Sequence, residues 1–128
     1  MPGHSDLAVL LAGLDPVVHG RPYVFVTVAE VPVGVAPVAT VVEEEGVTLV
    51  LSQAEADRIG LAYDFVAAMI TLRVHSALAA VGMTAAVAGR LAAAGISGNV
   101  MAGFFHDHLF VPLDRADDAV RLLRRDRH

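Results

Sequence analysis

His106-Asp107-His108 is a polar constellation set in an apolar region of this chain. Imidazoles at i and i+2 of a strand face one way and could hold Zn or Ni together, with His75 as the one candidate for a third ligand. A hairpin turn accounts for the same three residues, because Asp is favoured at turns. The turn reading is preferred: His106 and His108 stay as metal candidates, and no metal or cofactor is assigned. Ser76 beside His75 could pair a nucleophile with a base. No G-x-S-x-G elbow surrounds the serine, however, and adjacent strand residues point to opposite faces. No catalytic residue is assigned, and the chain is read as non-enzymatic. Arg73 on a strand face is expected to pair with a nearby acid, the alternative being a bidentate clamp on a carboxylate.

These residues depend on a series of short elements. Ser5 can cap a helix carrying Leu7, Leu10, Leu11 and Leu14, with Gly13 as its left-handed stop. Tyr23 to Val28 is a β-branched and aromatic run behind Pro22 and reads as a strand, followed by a Pro/Gly-rich loop from Val31 to Pro37. Ala39 to Glu44 and Val47 to Leu51 predict a hairpin about Glu45-Gly46, with Glu43, Glu44 and Glu45 solvated. Ser52 and Glu55 match a capping box opening a helix over Gln53 to Ile59, which Gly60 would stop.

Ala67 to His75 alternates like a strand covered on at least one face and carries His75 to its end. Gly82 opens an Ala-rich helix from Met83 to Ala94, whose Met83, Val87 and Leu91 share one side, with Gly95-Ile96 as its stop. Asn99 to Phe105 and Leu109 to Pro112 predict a second hairpin about Asp107-His108. A last helix, capped by the Asp114 and Asp117 pattern, would bury Ala116, Ala119, Val120 and Leu123. Met83 and Phe104 are assigned to the core.

Composition narrows the partners. Nine Lys+Arg stand against 14 Asp+Glu, a formal charge of -5, so no broad positive field awaits nucleic acid. All the cations are Arg, and Arg121, Arg124, Arg125 and Arg127 crowd the end, as a helix terminus favours. With no cysteine there are no disulfides or thiolate sites, which fits a cytoplasmic protein. Uncharged runs such as Val74 to Gly89 fall short of the roughly 18 apolar residues of a membrane span, and the start lacks the basic flank of a signal peptide.

The layout repeats. Glu45-Gly46 matches Asp107-His108 at the turns, Ser52 matches Asp114 at the caps, and Glu55 matches Asp117 inside the helices, all at one offset. Residues 1–62 and 63–128 are read as the two halves.

The segments HSALAAVG, GISGNV and HDHLFVP lie within a stretch from about Ala67 to Leu123 that resembles an ACT domain. YVFVTV and PVATVVEEEGVTLVLSQAEADRIGL in the first half resemble small bacterial stand-alone tandem ACT proteins. The resemblance implies an α/β (α+β) two-layer sandwich of tandem ferredoxin-like βαββαβ halves with antiparallel sheets. It also implies a non-enzymatic regulatory role in binding or sensing an amino acid or related carboxylate. The matching positions for the ligand are His75, Ser76, Val81, Gly82, Met83, Thr84 and Asn99, across a domain or subunit interface. A homodimer and a partner enzyme are the expected partners. A protein-association scaffold with a degenerate ligand site is the alternative.

Overall fold

The computed structural model describes residues 6–74 and 81–124. In chain order its elements are α1 (Leu7–Ala12), β1 (Pro16–Val28), β2 (Ala39–Val42), β3 (Val47–Ser52), α2 (Gln53–Arg58), β4 (Val66–Leu72), α3 (Met83–Ala93), β5 (Asn99–Ala102), β6 (Asp107–Pro112) and α4 (Ala116–Leu123), with a 3-10 turn at Leu113–Arg115 before the last helix. The chain divides into two compact units. One combines Met1–His19 with Ala68–His128, and the other is the intervening segment Gly20–Ala67.

The discontinuous unit has the ferredoxin-like strand order β1-β4-β6-β5, with β5 and β6 antiparallel from Asn99↔Phe110 to Ala102↔Asp107. Alternate strand residues Ala68, Ile70 and Leu72 of β4 and Leu109 and Val111 of β6 form one core with Leu10, Leu14, Met83, Val87, Leu91, Ala119 and Leu123 of the helical layer. This is a two-layer sandwich. The inserted unit has the order β2-β3-β1, with β3 antiparallel to both neighbours. Val24, Val26, Leu49 and Leu51 pack with Ala56 of α2. Between β1 and β2 this unit has a loop instead of the first helix of a βαββαβ half. The prolines and glycine of Val31 to Pro37 interrupt any helical ladder.

Two helix stops follow the sequence closely. Gly60 (φ 74°) and Gly95 (φ 73°) take the left-handed conformation, and Leu61 and Ile96 donate their amides back to Ala56 and Leu91, both at 2.9 Å. Each is a Schellman closure. Ser52 caps α2 as expected, accepting from the Glu55 amide, but the Glu55 carboxylate accepts instead from the Ala36 amide in the loop.

Other expectations need correction. Asp6 caps α1, its Oδ1 accepting from Ala8 at 3.0 Å and Val9 at 3.3 Å, while Ser5 lies outside the described residues. Gly13 is not left-handed (φ -113°), and the positive φ falls on Asp15. β1 starts seven residues before Tyr23 and runs through Pro22, since β4 beside it supplies pairing that no local pattern announces. β4 ends at Leu72, short of His75.

Both hairpin turns are displaced from their expected centres. Glu43 and Gly46 close the first, with Glu44-Glu45 at its tip, and Gly103 and His106 close the second, with Phe104-Phe105 at its tip. Asp107 and His108 are therefore strand residues. Ala39 corresponds to Asn99 and Val47 to Asp107, a shift of 60 residues, where the matched turn chemistry had implied 62. Phe104 is 74% exposed, not in the core, because a hairpin tip has no layer above it. No side chain caps α4; the 3-10 turn leads into it, and Asp118 pairs with Arg115 and Arg121.

Candidate functional site

The helical layer of the discontinuous unit presents the start of α3. Gly82 stands at the N-cap with φ 94°, a conformation that glycine adopts at no steric cost, and among the described residues no side chain caps the helix. A Cβ there would meet Leu7 Cδ2 at 3.3 Å, so α1 closes one side of this helix start. Met83 is buried and anchors the turn, whereas Val81 and Thr84 are exposed. The amides of the first turn carry the positive end of the helix dipole and can receive an anion.

Of the positions expected from the sequence to contact a ligand, Val81, Gly82, Met83 and Thr84 are contiguous here, and His75 and Ser76 lie outside the described residues. Asn99 is exposed at the start of β5. It follows Gly98, whose hypothetical Cβ would sit 2.7 Å from Leu91 Cδ1, in the last turn of α3. From Met83 to Leu91 the helix rises about 12 Å. Asn99 is thus a helix length away from Gly82 within this unit.

The opposite face of the same sheet carries a polar chain that sequence reasoning missed. Thr71 Oγ1 lies 2.7 Å from His19 Nε2 and 2.9 Å from His108 Nδ1, linking β1, β4 and β6. A hydroxyl has one proton, so in one of these two bonds the imidazole is the donor. Burial pushes the His108 pKa below its ordinary 6.5, the charges of His19 and His106 push the same way, and Asp107 opposes them. Burial likewise raises the Asp107 carboxyl above its ordinary 3.8, against the pull of His108.

Beside them on this face, Met69 (5% exposed) and Phe110 (0%) are already covered. Among the described residues, no group of three His, Asp or Glu side chains is placed to hold a metal. The alternation of β4 put Thr71 with Arg73, but His19 lay outside every strand the sequence predicted. Arg73 does find an acid, Asp15 Oδ2, at 3.7 Å, with both side chains well exposed. Such a pair contributes little to stability.

Comparison with known proteins follows the same lines. A model of the ACT domain matches residues 2–68, and a second ACT-domain model matches residues 65–125. A solved structure from Vibrio cholerae, a protein of unknown function described as a possible transport protein, is 41% identical. That match covers 97% of this chain and 98% of the other, with a TM-score of 0.87. An Agrobacterium tumefaciens protein superposes with a TM-score of 0.70 at 19% identity, covering 87% of each chain. The ligand-free regulatory subunit of aspartate kinase from Thermus thermophilus has a TM-score of 0.68 at 9% identity, covering 91% of this chain and 99% of that one. No curated protein matches by sequence.

Proposed function

The chain belongs to the ACT-domain family, and from that premise we propose that it is a non-enzymatic regulatory protein that binds an amino acid or a related carboxylate. ACT domains are regulatory modules, and the fold is shared with a regulatory subunit of aspartate kinase. The observation that carries the reading is the first turn of α3, where Gly82 is left-handed, no side chain among the described residues caps the helix and Thr84 is exposed. A ligand carboxylate would take the place of the missing cap.

In this reading Asn99 acts from a second copy, because α3 separates it from Gly82 within its own unit. The protein works as a homodimer in the cytoplasm, and ligand binding alters the dimer seam and through it a partner enzyme. His75 and Ser76 complete the ligand contacts.

A thermal-shift screen against the amino acids and their keto acids tests the proposal. A ligand at about 100 times its Kd adds roughly 2.7 kcal/mol, on the order of 10 °C for a chain of this size. Thr84→Asp is the informative variant. Its carboxylate favours the helix dipole, so stability should hold while binding of an anionic ligand is lost. Unchanged binding in Thr84→Asp would overturn the placement of the site. No shift with any compound would leave the protein-association role as the better reading.

A further inference from the structure

In the discontinuous unit β1 is the edge strand, and β3 pairs with β1 only from Tyr23 to Val28. The edge at Pro16, Val17 and Val18 thus has β4 on one side and, among the described residues, no strand on the other; the Asp15 carbonyl accepts from Arg73 on the β4 side, so by alternation the outward main-chain groups are those of Val18 and of Pro16, which has no N–H. Edges of this kind accept further strands. Val17 and Val18 are 37% and 40% exposed.

Alongside this edge runs a groove of about 440 Å³, lined by Pro16, Val17 and Val18 and by Asp117, Val120, Arg121 and Arg124 of α4 and its end. Its volume falls within the range of ligand sites. The valines make its middle apolar, and Arg124 charges one end, while Arg121 beside it is paired with Asp118. Arg124 donates from Nη2 to the Pro16 carbonyl at 3.4 Å, which holds its guanidinium over the edge with other N–H donors remaining. Asp117 lies seven residues earlier on the helix, about 10 Å from Arg124 along the axis.

We propose that this groove takes a short extended peptide segment of a partner protein, added as a strand to the β1 edge at Val18, with apolar side chains over Val18 and Val120 and one carboxylate on Arg124. The main chain supplies hydrogen bonds and the valines supply apolar contact, as in other strand additions. Asp117 repels a second carboxylate at the far end, so the segment is apolar with a single acid and not polyacidic. A second copy of this chain is the poorer occupant, because twofold pairing of β1 edges would gather Arg124 of both copies at one seam.

The probe is a fluorescein-labelled tetrapeptide, Val-Thr-Val-Glu, read by fluorescence anisotropy with the full chain. Saturable binding is expected, weakened at least about tenfold by Arg124→Gln and by Val18→Asp. Higher salt should weaken it further. Both positions lie at the surface, and the thermal midpoint checks that the variants fold. The proposal is overturned by equal binding of the Lys-for-Glu peptide, by equal binding of an N-methylated peptide that cannot pair as a strand, or by no saturable binding. It is also overturned if sedimentation finds a dimer that Val18→Asp dissociates, since a second copy then fills the groove. None of these outcomes depends on the ligand site at α3, which Thr84→Asp tests separately.

Discussion

Thr71 Oγ1 sits 2.9 Å from His108 Nδ1, a side-chain bond between two adjacent strands on the sheet face away from the helices. Thr71→Val keeps the shape and removes the hydroxyl, leaving half-buried imidazole nitrogens of His108 and His19 without this partner. The expected loss is about 1–3 kcal/mol by urea unfolding, with Thr71→Ser close to the parent. A loss within about 0.5 kcal/mol, the range of ordinary surface changes, would mean that water replaces the hydroxyl without penalty.

The same chain sets a pH dependence. His108 has a lowered folded pKa, so below pH 6.5 the unfolded chain takes up a proton that the folded chain resists. Its contribution to stability is complete above that pH and is lost as pH falls through the window below it. Asp107 works in the opposite sense at lower pH. Its raised folded pKa makes the folded chain bind a proton first, favouring folding as pH falls toward 3.8. Thermal midpoints should therefore decline from pH 7.5 to 5.5, about the His range, and His108→Gln should flatten that decline. An unchanged slope in the variant would assign the effect to another group.

Two glycines should respond differently to alanine. Gly95 has φ 73° with open space around it, so Gly95→Ala is strained by its backbone alone, about 1–2 kcal/mol. At Gly46 an added Cβ would also come within 2.8 Å of Thr27 Oγ1 and 3.1 Å of the Val28 carbonyl oxygen. Gly46→Ala should be the more damaging of the two in denaturant unfolding, and the reverse order would mean that this hairpin yields easily.

Leu10, in α1, is 0% exposed and belongs to the core that also contains Leu72, Met83 and Leu123. Leu10→Ala should cost about 2–5 kcal/mol. A chain starting at residue 15 should lose this core support and unfold at a lower midpoint, although every other element of the unit is intact. A midpoint equal to that of the full chain would show α1 to be an accessory.

Much of the fold was legible because its signals are local. The left-handed stops at Gly60 and Gly95, the Ser52 cap and the apolar side of Met83, Val87 and Leu91 each involve residues within a few positions of one another. The hairpins were also legible, but their centres were not. Asp107-His108 has turn chemistry, yet the pairing of Asn99 with Phe110 fixes Phe104-Phe105 at the tip.

What the sequence by itself determined is the set of elements, the tandem ACT resemblance and the contiguous helix start at Val81 to Thr84, all carried by neighbouring residues. Tertiary structure decided the rest, because the relevant contacts join positions far apart in the chain. Pro16–His19 is strand only through the pairing that β4 provides, and Thr71 meets His19 from 52 residues away and His108 from 37. The six-residue α1 is too short to hold a helix alone and exists through the burial of Leu10 and Leu14. The Arg124 groove likewise exists only because the C-terminal end of α4 is brought to Pro16 across 108 residues.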